Sequence, residues 1–249
     1  MLSATDGKGG SVYLDIEFGY VYGTCRDVMM PIEIGAVLHR PENDGIQYVG
    51  EQFRYDLDVE IWKKVTDPCG RTVGVSTTVA NMSQGRYGMA YDHFFRLHVE
   101  EVPAAQDAAR SAFDDLGRFM ESVLSTGEVR DVVVFAADME RRAFRAAEVP
   151  LDGCRLVDLQ REIRRRFEMK QVLSLDRLAR LIDFRADGSV VASTHFSYPV
   201  PREYRHLLSP HRGMGDAVRT FLLAREFQEK LPELETRVRA LMETCESEE

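Results

Sequence analysis

Asp15 and Glu17 stand two apart in SVYLDIEFG, Asp138 follows the apolar run VVVFAA, and His211 precedes Asp216 by five residues in HRGMGDAVRTFLL. Gathered in space, these carboxylates and one imidazole could grip two divalent metal ions and deprotonate a water, which is the equipment for hydrolysing a phosphodiester. Residues two apart on a strand leave the same face, with Cβ atoms roughly 7 Å apart at ~3.3 Å rise per residue. That span suits carboxylates holding a pair of metals ~3.5–4 Å apart. Oxygen-only ligation favours Mg²⁺ or Mn²⁺ over zinc. Taken by itself, a DxE pair reads better as two solvated acids on a half-exposed strand.

Asp138 ends a buried run and opens a helical stretch, so it falls at the C-terminal end of a strand, where open α/β sheets place their ligand crevice. A helix cap is the equally good alternative for an aspartate there. His211 and Asp216 would lie about 140° apart on one ideal helix, too far round for a shared site. Pro210 and the two glycines of RGMG resolve this by letting His211 sit in the loop while Asp216 points from the first turn of the helix. A neutral imidazole there could take the proton of an attacking water while the carboxylate holds metal. In isolation, the same segment also fits a surface histidine beside a helix-start acid.

Arg141, Arg142 and Arg145, with Arg161, Arg164, Arg165 and Arg166, form the dense basic stretches. They could position phosphates, although a solvated helix face accounts for at least half of them. Phe18, Tyr20 and Tyr22 follow the DxE pair and could stack on bases, although aromatics so placed more often simply fill core. Asp158 could be a spare metal ligand but reads better as a helix cap. His39, His93, His98, His195 and His206 have no ligand-like spacing.

The elements that must carry these residues are legible from periodicity. In SVYLDIEF, Val12, Leu14 and Ile16 alternate with Tyr13, Asp15 and Glu17, the pattern of a strand. PIEIGAVLHR and IQYVGEQFRYDL read as further strands, joined as an antiparallel hairpin through PENDG. Residues 56–100 read as a loop or flap with a short β-like run at Thr72 to Val79. Ala104 to Leu124 has helical spacing, and DVVVFAA is the continuous apolar run of a buried parallel strand. Helices are expected from about Met139 to Ala147, in DLQREIRRRF and in SLDRLARLI, with CRLVDL a short strand. Residues 185–210 read as an irregular or hairpin insertion. A long helix starts near Met214, with Pro232 marking a restart. Strands alternating with helices, opened by an antiparallel hairpin, predict an α/β fold with a mixed sheet.

The 249 residues fit one large domain: a flexible leader at 1–10, a body at 11–231 with insertions at about 56–100 and 185–210, and a helix with an acidic tail at 232–249. Net charge −9 argues against a generic nucleic-acid coat protein, but metals and local arginines can offset phosphates in an acidic enzyme. The four cysteines are isolated, without zinc-site spacing or a disulfide framework. No apolar run reaches transmembrane length, and the polar start is no signal peptide, so a cytoplasmic protein with no membrane partner is expected.

In order and context, DxE on a first strand, IEIGAV on a second, Asp after a buried strand and H-x4-D opening the last helix resemble the DEDDh 3′→5′ exonucleases of the ribonuclease H-like superfamily. VDLQREIRRRF, SLDRLARLI and HRGMGDA look most similar to the branch of the histone-mRNA and small-RNA exonucleases. The resemblance covers roughly Val12 to Leu223. It implies a ribonuclease H-like, mixed five-stranded sheet flanked by helices, two metals on Asp15, Glu17, Asp138 and Asp216, and His211 as general base. The implied substrates are 3′ ends of single-stranded RNA or DNA, RNA slightly favoured, with a homodimer possible because several relatives are dimers. Phe18 stands where many members have threonine after the motif's Glu and would instead stack on or wedge against the terminal base; from the basic stretches, Arg141 and Arg142 are the expected phosphate contacts. The His-Asn common before the second Asp is absent. An aspartyl-phosphate phosphatase and a catalytically idle binding module remain as alternatives.

Overall fold

The computed structural model describes residues 9–22, 27–52, 59–66, 72–79, 93–96, 102–125 and 129–246, with side chains placed for 9–18, 31–51, 109–125 and 129–242. The expected leader and the last residues of the acidic tail lie largely outside the described residues. Three strands open the chain: β1 (Gly10–Tyr22), β2 (Asp27–Arg40) and β3 (Gly45–Gln52). Both pairings are antiparallel, so β1, β2 and β3 form a meander, and Asp44 takes a positive φ in the tight turn of PENDG. After helix α1 (Val102–Ser125), strand β7 (Val129–Val134) pairs parallel to β1, and β8 (Arg155–Asp158) pairs parallel to β7. The core sheet thus runs β3-β2-β1-β7-β8, a mixed five-stranded sheet flanked by helices in the ribonuclease H-like arrangement.

Within 56–100, two stretches expected as loop or flap are strands, β4 (Val59–Thr66) and β6 (His93–Arg96), and the β-like run expected at Thr72 to Val79 is β5 (Thr72–Val79). β4 and β5 make an antiparallel hairpin, and β6 joins it to the far end of β1 through Val21 and Tyr22. The β-branched residues of VEIWKKVT and TVGVSTTV suit a pleated ladder, and pairing satisfies the backbone groups that a loop would leave to water. The rest of that stretch lies outside the described residues.

Both faces of the core sheet are covered. Val12, Leu14 and Ile16 of β1 bury against Leu116, Phe119 and Met120 of α1 and Phe144 of helix α2 (Ala137–Ala146). Each such side chain contributes about 1.5–3 kcal/mol of burial. Tyr13 faces the other way and packs with Val37, Val133 and Phe221 among the remaining helices. These are α3 (Leu159–Arg166), α4 (Leu175–Leu181), α5 (Gly213–Glu229) and α6 (Leu231–Glu246). Asp15 and Glu17 continue the Tyr13 face, so the period of two alone sends both acids toward α5.

The second insertion is a small antiparallel sheet of β9 (Arg185–Asp187), β10 (Val190–Ala192) and β11 (Ser197–Pro199), followed by a 3₁₀ turn at Arg202–Leu207. Buried Glu226 of α5 pins it by accepting from the Ser193 hydroxyl and the His195 backbone N–H, and by meeting His195 Nδ1 at 2.8 Å. Among the described residues no helix is long and apolar enough to cross a membrane.

Candidate metal centre

On β1, Asp15 pairs with Gly35 of β2, and Glu17 pairs with Glu33. Gly35 is decisive for the site. A Cβ there would meet the Met214 backbone nitrogen at 2.1 Å, so only a glycine lets the start of α5 settle onto the sheet beside Asp15. Gly213 answers from the helix, where a Cβ would meet the Gly35 nitrogen at 2.8 Å and the Asp15 carbonyl oxygen at 3.1 Å. Gly215 does the same toward the preceding loop, with the Ser209 carbonyl 2.1 Å from its would-be Cβ. The glycines of HRGMGD are therefore a docking surface, and docking delivers Asp216 to β1.

Asp15, Glu17 and Asp216 each offer a carboxylate oxygen within 4.8 Å of the others. They adjoin an open cavity of about 300 Å³ whose lining includes Asp15, Glu140, Gln160, Asp176, His211 and Asp216. His211 lies in the loop before α5 with φ +60°, half-exposed, its Nε2 4.0 Å from Asp176 Oδ2. Its backbone N–H donates to Asp216 Oδ2 at 3.2 Å, so the loop fixes the orientation of that carboxylate. Arg219, one turn along α5, donates to Asp216 Oδ1 at 2.9 Å and lies over the Phe184 ring.

Asp138 does not join them. Helix α2 begins at Ala137, and its first N–H is satisfied by Asp158 Oδ2 at 3.2 Å, while Asp158 Oδ1 caps α3 through the Arg161 N–H at 2.9 Å. Asp158 thus caps its own helix, as expected, and also ties the neighbouring helix start to it. Asp138 is neither cap nor cavity-lining: its side chain is 90% exposed and pairs with Arg141 at 3.4 Å. The carboxylate that α2 sends inward is Glu140, 6% exposed and lining the cavity. Two residues at 100° each turn it about 200° away from Asp138. Its Oε2 is buried without a hydrogen-bond partner. A signal for it exists in the sequence: Ala137, Glu140, Ala143 and Phe144 form the buried stripe of this helix, and a glutamate on an apolar stripe calls for a partner.

The electrostatics of the cluster are those of an acid-lined pocket. Burial first, then the charges of Asp216, Glu17, Glu140 and Glu33, push the Asp15 carboxyl well above the usual range. Burial likewise raises Asp216, partly opposed by Arg219 and His211. Glu140 is pushed up to about 7, mainly by burial and further by Asp158, Glu17 and Asp138. Crowded carboxylates that resist ionisation, one of them with an orphaned buried oxygen, fit hard divalent cations, which would relieve all of these penalties together. Zinc fits less well, because among the described residues no Cys or His joins the clustered ligand atoms.

The other side chains expected to touch substrate lie elsewhere. Phe18, just past a register shift in β1, is partly buried against the core cluster. Arg141 lines a separate hollow of about 630 Å³ with Phe144, Arg145 and Leu156, and Arg142 is exposed outside both cavities. Comparison with protein-family models, curated proteins and solved structures gives no match.

Proposed function

We propose that the protein is a two-metal-dependent 3′→5′ exonuclease that hydrolyses phosphodiesters of single-stranded nucleic acid and releases nucleoside 5′-monophosphates. The observation that carries the reading is the convergence of Asp15, Glu17 and Asp216 from β1 and α5, beside the unpartnered buried oxygen of Glu140. In this reading Asp15, Glu17, Glu140 and Asp216 hold Mg²⁺ or Mn²⁺. Such ions, when bound, supply Lewis-acid polarisation of water and phosphoryl oxygens. His211, half-exposed at the cavity rim, accepts the proton of the attacking water. The water oxygen bonds to phosphorus while the bond to the 3′-oxygen breaks. Asp176 and the Asp216–Arg219 pair keep the imidazole loop and the carboxylate in register. The resemblance of the motifs leans the choice of sugar toward RNA.

The test uses 5′-labelled single-stranded RNA and DNA of one sequence, incubated with wild type and Asp15→Ala in Mn²⁺, Mg²⁺ or EDTA. The expected result is a metal-dependent ladder shortening from the 3′ end, absent in the variant. A wild type inert on both polymers, or an Asp15→Ala protein that still turns over, overturns the reading.

A further inference from the structure

Helices α3 and α4 both border the acidic cavity, α3 through Gln160 near its start and α4 through Leu175 and Asp176. From Arg155 to Arg185 the chain carries nine Lys and Arg against five Asp and Glu, a formal charge of +4 inside a protein of −9. The excess is displayed outward. Arg161, Arg166, Arg177 and Arg180 are exposed, and among the described residues none of their side chains forms an ion pair. By contrast Arg212, Arg219, Arg225 and Arg237, elsewhere on the same side of the sheet, are each held by an acid.

Arg164 lies one turn beyond Gln160, and Arg180 one turn beyond Asp176, so each follows a cavity-lining residue along the same face, while Arg161, Arg166 and Arg177 spread the charge round the exposed flanks of the two helices. Arg164 spends its Nε on the Met169 carbonyl, and only Arg165 in the last turn of α3 is paired with an acid of its own helix, Glu162. Guanidinium groups fanned over two short helices suit successive phosphates of a flexible chain, and one Arg per phosphate positions without reading sequence.

We infer that the exposed arginines of α3 and α4, the two helices bordering the cavity, hold the phosphates of a single-stranded nucleic acid whose 3′ end occupies the acidic cavity. The inference rests on the proposed nuclease reading for the polymer's identity. It predicts preference for chains over mononucleotide esters, and binding steeply weakened by salt.

This phosphate track is tested with the four-fold variant Arg161→Gln, Arg166→Gln, Arg177→Gln, Arg180→Gln, whose exposed, unpaired side chains do not hold the fold together. Binding of a fluorescein-labelled oligothymidylate of about twelve nucleotides is followed by polarisation in EDTA across a salt series, so hydrolysis is not required. The expected variant binds on the order of tenfold more weakly, its log K against log salt slope shallower by about 0.7 for each phosphate no longer neutralised. In Mn²⁺, the ratio of cleavage of this oligomer to cleavage of the p-nitrophenyl ester of thymidine 5′-monophosphate should fall in the variant. Unchanged affinity, an equal loss on both substrates, or equal competition by polyglutamate or by phosphatidylserine vesicles overturns the track. A wild type that binds through these arginines yet cleaves nothing keeps the track and removes the nuclease reading.

Discussion

Glu33 Oε1 accepts the backbone N–H of Gly213 at 2.7 Å, so a buried acid on β2 holds the first residue of α5. The same carboxylate meets Arg212, with Nη2 to Oε2 at 3.1 Å, and is itself only 2% exposed. Glu33 and Glu17 are register partners, yet Glu33 holds Gly213 and Arg212 while Glu17 joins the acidic cluster with Asp15 and Asp216. Two neighbouring glutamates thus divide into a structural latch and a candidate ligand. Glu33→Ala leaves Arg212 buried beside an emptied pocket and should cost about 3–5 kcal/mol in chemical denaturation. Glu33→Gln, which can still accept from Gly213, should cost clearly less. Equal losses in the two variants would remove the latch.

The sharpest prediction separates two acids on one helix. Glu140→Gln should abolish activity, because the cavity loses the carboxylate aimed into it. Asp138→Asn should keep activity within a few-fold, because that side chain is in solvent and its exposed pair with Arg141 is worth little. Metal affinity by calorimetry should follow the same split. Activity lost at Asp138 and retained at Glu140 would return the ligand role to Asp138, where sequence order alone puts it.

That pair also shows what the sequence can and cannot convey. The β1 alternation places Asp15 and Glu17 on one face, and HRGMGD places His211 in a loop with Asp216 on the first turn, because both inferences are local. Sequence order favours Asp138 as the first acid after VVVFAA, but the helical phase set at Ala137 decides which acid turns inward, and that phase comes from packing against β1 and α1. Gly35 and Glu33 are invisible as positioning residues for a similar reason. Their purpose appears only when α5, far along the chain, docks on β2. In residues 56–100 the run at Thr72 to Val79 reads as β-like, but its hairpin partner VEIWKKVT does not stand out, because two adjacent lysines break its apolar alternation.

Gly35→Ala should hurt function more than its single methyl suggests. The added Cβ would meet backbone atoms of Gly213 and Met214 near 2 Å, and backbone cannot rotate away as a side chain could. Overpacking of this kind costs about 1–3 kcal/mol, and here the strain is relieved by lifting the start of α5, which moves Asp216. Metal-dependent activity should therefore fall by on the order of a hundredfold at temperatures where circular dichroism still reports a folded protein. Full activity in a folded variant would refute the docking role of the glycine.

Stability of the metal-free protein should fall as pH rises. Glu140 has a folded pKa raised to about 7 against an ordinary value of 4.5, so between those values the native state holds a proton that the unfolded chain has released. Stability is then fully present below about 4.5 and is lost progressively as pH rises through 7, by on the order of 3 kcal/mol. Asp15 and Asp216, also raised, act in the same direction. In EDTA, Tm should be higher at pH 5 than at pH 8, and Glu140→Gln should flatten the profile and stabilise the protein at pH 8. Saturating Mn²⁺ binds the ionised carboxylates and should reverse the trend, since occupancy stabilises the native state by mass action. A pH-independent Tm in EDTA would mean that these acids are solvated rather than crowded, and the case for a metal centre would lose its electrostatic half.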